Sequence, residues 1–363
     1  MRETPQVFNY IIYFQYKIVY MKMNTNFILI NYLNYINYVK MSSTWGKSAW
    51  FIKYLNNIKI IKFNYKSSET TRNAFYSIFT KKNSLQETFY KWFVGFIDGD
   101  GSFSFHKTSK GYWTFYFKVS QNVNNIQVLY FIKNILGVGS INTTTITHNN
   151  IVEFRIRDKQ HIIKYIIPIF DKYKLLTSKE FNYLNFRKAI LISENNNISI
   201  EEKDSIIITL KNEIIPKDYI SSAWDFTSID TITLSIINII ISKEWIVGFT
   251  EAEGSFYLIK KGPNRIVHIF EITQKKDKIV IKAISILLSI KIYVKKTHYS
   301  CVTTNLGNIE FIIRYFDNTI KGIKSLEYRI WSRSFKKKTS YTDLVNIQNK
   351  IRKIWIGSCS IFK

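Results

Sequence analysis

The chain is poor in the residues that build small stapled or metal-centred folds. Its 363 residues include two cysteines, Cys301 and Cys359, four prolines, thirteen glycines and five histidines. Two thiols make no disulfide framework and no zinc cluster, and five scattered histidines leave little for a His-based metal centre. No apolar run reaches the roughly 20 residues of a membrane span. The best candidate, residues 229–241, is interrupted by Asp230 and Asn238. Acids are scarce beside bases, 26 against 52, which leaves a formal charge of +26. That excess calls for a polyanionic partner, nucleic acid before a membrane surface. Tyr, Phe, Ile, Lys and Asn are abundant instead. Their codons are AT-rich, which suits a gene in an organellar genome.

With acids so few, their placement is informative. Trp92 to Phe103 reads WFVGFIDGDGSF, and Trp245 to Phe256 reads WIVGFTEAEGSF. Gly95 and Gly248 lie 153 positions apart, as do Asp100 and Glu253, so the two runs align without a gap. An internal repeat of this kind sets the architecture. Each run reads as the C-terminal half of a helix. Ser84 and Glu87 have the form of a capping box, Ser242 sits at an N-cap position, and Gly101 and Gly254 read as C-terminal stops. The predicted helices cover 85–98 and 243–251. Gly95 with Gly99, and Gly248 with Ala252, place small residues four apart on one face. A helical glycine costs about 1 kcal/mol against alanine, and close approach of two backbones is a sufficient reason for it. Side-by-side packing would bring Asp100 and Glu253 together at one end. Two adjacent carboxylates share a proton or hold a divalent cation. Hard oxygen ligands suit Mg²⁺, and such ions assist in-line phosphoryl displacement.

These runs resemble the LAGLIDADG homing endonucleases in the single-chain form with two motif copies. Phe93 to Gly101 and Ile246 to Gly254 occupy the nine motif positions. Phe93, Val94, Phe96, Ile246, Val247, Phe249, Thr250, Glu251 and Glu253 depart from the eponymous letters, yet an acid remains at both metal-binding positions. The resemblance covers roughly residues 84 to 340. It implies an α/β (α+β) fold of two pseudo-symmetric αββαββα halves, joined through paired motif helices, whose antiparallel sheets form a DNA-binding saddle. It implies a monomer that hydrolyses both strands of double-stranded DNA at a long asymmetric site. Mg²⁺ or Mn²⁺ would be held by Asp100 and Glu253, with Gln121, Gln274, Lys179 and Lys324 assisting. Gln121 and Gln274 end their hairpins 153 apart; Lys179 and Lys324 open corresponding helices 145 apart, with Lys174 as a competitor in the first half.

Period-two alternation supports the hairpins. Phe103 and Phe105, then Trp113, Phe115, Phe117 and Val119, alternate with polar residues, and Ile266, His268, Phe270 and Ile272 repeat the second set. The polar faces carry Ser104, His106, Tyr112, Thr114, Tyr116, Lys118, Arg155, Arg157, Tyr257, Lys261 and Lys295, the expected DNA contacts, because a twisted antiparallel sheet fits the major groove. Helices are expected over 124–136, 159–169, 178–193, 278–289, 308–317 and 324–335, and further hairpins over 140–158, turning near His148, and 291–305. The organisation expected is an ill-defined extension (1–83), a first half (84–198), a connector packed on the surface (199–241), a second half (242–345) and a tail (346–363). A mitochondrial setting is expected, with the chloroplast as the alternative. The fold also admits an intron RNA maturase, with host intron RNA as partner, or a DNA-binding relative without activity.

Overall fold

The computed structural model describes residues 19–23, 26–30, 69–143, 150–337 and 339–356, with side chains within 84–354. The chain divides into two compact units, 1–84 and 85–363. In the first, β1 (Val19–Met23) pairs antiparallel with β2 (Asn26–Ile30). The rest of the expected extension up to residue 68, the turn at His148, and Cys359 lie outside the described residues.

The second unit holds two four-stranded antiparallel sheets with the same strand order. A long helix, α1 (Glu69–Asp100), runs into β3 (Gly101–Lys107) and β4 (Trp113–Asn122). Then come α2 (Ile126–Leu136), β5 (Ser140–Asn142) and β6 (Ile151–Ile156), giving the order β3-β4-β6-β5. A helical run over 159–172 with a π turn at Ile162–Ile166, and α3 (Lys179–Glu194), close this half. The connector holds α4 (Ile200–Asn212), a 3₁₀ turn at Ser222–Trp224 and α5 (Leu234–Ile240). Within it Trp224 is buried and its Nε1 donates to the Leu176 carbonyl at 2.9 Å.

The second half repeats the scheme with α6 (Lys243–Glu253), β7 (Gly254–Gly262), β8 (Arg265–Gln274), α7 (Lys278–Leu287), β9 (Lys291–Val294) and β10 (Tyr299–Thr303). It ends with α8 (Leu306–Tyr315), α9 (Lys324–Lys336) and α10 (Tyr341–Ile356). Register repeats as well as order. Phe103 faces Phe117 across β3–β4, and Phe256 faces Phe270 across β7–β8, so one apolar face of each sheet packs under its helices. Each such buried aromatic contributes about 1.5–3 kcal/mol.

Several expected boundaries shift. Ser84 and Glu87 do not cap a helix: α1 begins at Glu69 and passes through both, and Glu87 instead pairs with Lys91 at 3.0 Å. Both motif helices run on to the second acid, Asp100 and Glu253. Gly101 and Gly254 are not left-handed stops; they open strands. A Cβ at either would collide with the helix turn below, at Ile97 or Thr250, which is why glycine stands there. The expected tail is largely α10, anchored by buried Ile351 and by Gln348 Nε2, which donates to the Leu258 carbonyl at 2.7 Å. Ser242 does cap α6, accepting from Trp245 N at 3.1 Å.

Candidate active site

The two motif helices meet backbone to backbone. A Cβ on Gly95 would overlap the Trp245 carbonyl oxygen, and one on Gly248 would overlap that of Trp92. Gly99 abuts Ala252 in the same way, and its missing Cβ would lie 3.2 Å from Glu253 Cγ. Gly95, Gly99, Gly248 and Ala252 line the seam between the two helices. The seam delivers Asp100 and Glu253 to one spot. Burial raises the pKa of both, and the negative charge of Asp100 raises that of Glu253 further, while Lys179 and Lys324 oppose the rise at both acids.

Gln121 Nε2 donates to Asp100 Oδ2 at 2.5 Å, leaving Oδ1 without a protein partner among the described residues. The carboxylate of Glu253 has no hydrogen bond or ion pair among the described residues. Gln274 does not mirror Gln121: its Oε1 accepts from Lys275 N at 3.1 Å, and it makes no bond to Glu253. Two part-buried carboxylates that repel each other and keep free oxygens form a donor set suited to a hard divalent cation. No group of three or more His, Cys, Asp or Glu side chains able to hold a metal occurs among the described residues, so further ligands would come from water or substrate.

The two lysines bond main-chain carbonyls at the motif-helix ends. Lys179 Nζ donates to the carbonyls of Ile97 (3.0 Å) and Gly99 (2.6 Å). Lys324 Nζ donates to those of Thr250 (3.1 Å), Ala252 (3.4 Å) and Gly254 (2.5 Å). Each ammonium therefore caps the end of its own motif helix, where unpaired carbonyls and the negative dipole end favour a cation. Burial lowers the Lys179 pKa against the pull of Asp98, Asp100, Glu253 and Asp277. The competitor Lys174 is exposed and reaches the Ser222 carbonyl at 3.5 Å instead.

The first acid of each motif was overlooked, although it too repeats at 153. Buried Asp98 accepts from Leu176 N (2.9 Å), Thr177 N (3.1 Å), Thr177 Oγ1 (2.6 Å) and, across the seam, Trp245 Nε1 (2.8 Å). Burial outweighs these bonds and lifts its pKa to about 6. Glu251 accepts from Lys321 N (2.8 Å) and Gly322 N (2.9 Å). Both acids tie down the turn just before the lysine. A second pair crosses between halves. Asn125 Oδ1 accepts from Ile323 N (2.8 Å), while its Nδ2 donates to Gln121 Oε1 (2.6 Å). Asp277, at φ 62°, accepts from Ser178 N (2.5 Å) and Ser178 Oγ (3.2 Å). Each half thus holds the other half's lysine turn. Nothing in the sequence marked these two, because their partners are main-chain groups remote in sequence.

On the outer face of the first sheet, Ser104, His106, Tyr116, Lys118 and Arg155 gather with Glu153 around a depression of about 270 Å³. His106 stacks on Tyr116 at 5.0 Å, and Arg157 lies over the same ring at 5.0 Å. Glu153 holds Arg155 through Nε (2.9 Å) and Nη2 (2.6 Å), with Lys118 at 3.8 Å. Thr114 Oγ1 donates to the His106 carbonyl at 3.2 Å, and Tyr112, 72% exposed, sits beyond at the hairpin end. On the second sheet Tyr257 OH donates to Glu271 at 2.7 Å, and Lys261 and Lys295 are exposed.

The sequence model of the family described as LAGLIDADG endonuclease matches residues 93–190 and 246–335. A Schizosaccharomyces pombe protein named "Probable intron-encoded endonuclease Cox1-I1b" is 39% identical over 291 residues, covering 77% of this chain and 72% of that protein. The "Uncharacterized mitochondrial protein RF1" of Saccharomyces cerevisiae is 30% identical, over 74% of this chain and 52% of its own length. The "Probable intron-encoded endonuclease 4" of Neurospora crassa is 26% identical, and the chain spans 43% of it. Among solved structures, the meganuclease I-SmaMI bound to uncleaveable DNA superposes with a TM-score of 0.59 at 25% identity, over 74% of this chain and 97% of that one. I-SmaMI bound to uncleaved DNA target in the presence of calcium ions superposes at 0.58 and 25% identity, over 74% of this chain and 98% of that one. With a matching family model over both motif copies and a 39% identical relative covered for most of its length, the chain belongs to the LAGLIDADG endonuclease family.

Proposed function

We propose that this chain is a mitochondrial homing endonuclease that acts as a monomer and makes a divalent-metal-dependent double-strand break at a long, asymmetric DNA site. The observation that carries the reading is the convergence of Asp100 and Glu253, one from each half, at the shared end of two helices in backbone contact. Intron-encoded endonucleases among the relatives favour this over a maturase role. DNA-bound structural neighbours and the basic outer face of the first sheet favour duplex DNA as partner.

The residues of the chain divide the work. Asp100 and Glu253 would hold Mg²⁺ or Mn²⁺, which when bound polarises the scissile phosphate and activates water. Gln121 fixes the orientation of Asp100 by donating to Oδ2, leaving Oδ1 for the metal. Lys179 and Lys324 hold positive charge beside both acids, where a phosphate oxygen gains charge during displacement. The seam of small residues keeps the two acids at one spacing, so that one strand is cut at each. Gln274 would have to swing from Lys275 to serve Glu253 as Gln121 serves Asp100. The test is a duplex carrying the joined exons of the host gene, incubated with Mg²⁺. A double-strand break is expected, abolished by EDTA and by the pair Asp100→Asn and Glu253→Gln. Cutting that survives both substitutions refutes the site.

A further inference from the structure

The two outer sheet faces share a topology but not a chemistry. On the first, cross-strand pairs are polar: Ser104 with Tyr116, His106 with Thr114, Lys118 with Arg155. On the second, the equivalent pairs are Tyr257 with Ile269 and Ile259 with Val267, and Val302 of β10 stands beside Glu271. Side chains directly opposite on neighbouring strands share a face, so the centre of this face is aliphatic. Ile259 is 38% exposed and Val267 and Val302 are half-buried, whereas Ile269 is buried. The rim is basic, with Lys261, Arg265 and Lys291 exposed. An aliphatic centre would weaken a face that met only phosphates. It is suited to the one apolar group that base pairs present in the major groove, the thymine 5-methyl. Glu271, held by Tyr257 and by Thr273 Oγ1 at 3.3 Å, has no cation bound to it among the described residues, unlike Glu153 on the first sheet. Such a carboxylate repels phosphate and accepts from an exocyclic amine, cytosine N4 or adenine N6 alike, so the choice of A·T rests on the aliphatic residues.

We propose that the half-site under the second sheet is read as A·T pairs through thymine methyl contacts to Ile259, Val267 and Val302, while the first sheet reads its half-site by hydrogen bonds. The proposal rests on the endonuclease reading and adds how the two half-sites are told apart. It requires an asymmetric thymine dependence in the bound DNA.

The test uses the full chain in Ca²⁺ and the duplex that the protein selects from a randomised pool. Deoxyuridine, which lacks only the methyl, replaces thymidine in one half-site at a time. Affinity should fall about fourfold for each methyl contacted, the transfer value of one buried carbon, in one half-site and be unchanged in the other. The variant Ile259→Ser with Val267→Thr should bind the thymidine and deoxyuridine forms alike. The deoxyuridine comparison itself uses the unmodified protein, so its outcome does not depend on whether that variant folds. Equal affinity for both forms in both half-sites overturns this inference and leaves the endonuclease reading standing. Selection of no duplex at all overturns both.

Discussion

Replacing Gly248 by alanine separates two opposed effects of known size. On an isolated helix the change is favourable by about 1 kcal/mol. In the seam the new Cβ would overlap the Trp92 carbonyl oxygen and lie 2.8 Å from Phe96 N and 2.9 Å from Trp92 C. These are main-chain atoms of a helix and cannot rotate aside, so the helices must part. Overpacking of this kind costs about 1–3 kcal/mol and sometimes more, and the rigidity of the neighbours places it at the upper end. The net expectation is a loss of about 2 kcal/mol, or roughly 4–8 °C in Tm for a domain of this size. Gly95→Ala should behave alike against Trp245. Gly262→Ala is the control, since its Cβ would meet only Arg265 Cβ at 3.9 Å. Urea and thermal unfolding of the full chain provide the readout. A Gly248→Ala protein as stable as the parent, or more so, would show that propensity wins and that the helices are not in backbone contact.

Lys324→Met leaves three helix-end carbonyls without their donor, against two for Lys179→Met, so it should be the more destabilising by about 1 kcal/mol in urea unfolding. Arginine should rescue neither, because its planar fork does not fit a site built for a compact ammonium. Asn125→Ala leaves Ile323 N–H and Gln121 Oε1 unpaired in a buried place and should cost about 1–3 kcal/mol. Because Asn125 holds the Gln121 that orients Asp100, strand-resolved gels of Asn125→Ala should show the strand handled at Asp100 slowed more than the other. His268 is half-buried against Trp331 and Phe335, bonded to Ser334 Oγ at 2.8 Å, and desolvation pushes its pKa down to about 4. An ordinary histidine titrates near 6.5, so the unfolded chain takes up the proton first. Stability is then full above about pH 6.5 and falls as pH drops toward 4, by on the order of 3 kcal/mol at most. His268→Gln should flatten that part of the unfolding profile, and an unchanged slope would contradict the burial argument.

Much of this was legible because the chain states it twice. The shared spacing of 153 pointed to paired helices and matching hairpins, and period-two alternation separated core from outer face at Phe103, Phe117, Phe256 and Phe270. What stayed hidden depends on groups that carry no letter. Asp98 and Glu251 act on main-chain N–H groups of turns 70 or more residues away, and Asn125 and Asp277 on turns in the opposite half. The start of α1 was misplaced because Ser84 and Glu87 imitate a cap inside a continuing helix. Helix α10 was readable and overlooked: Leu344, Ile347 and Ile351 follow helical spacing, and Ser340 Oγ accepts from Asp343 N at 3.3 Å as a cap. The departure of Gln274 from the Gln121 pattern could not be read from the letters, since both residues end equivalent strands.

The most direct measurement is anomalous diffraction from Mn²⁺ in crystals of the chain with its uncleaved duplex. An anomalous peak is predicted within about 2.5 Å of an oxygen from Asp100 and from Glu253, at coordination distances for a hard divalent ion, and the peak should vanish in the Asp100→Asn, Glu253→Gln protein. Mn²⁺ bound elsewhere, with neither carboxylate in its coordination shell, would contradict the account.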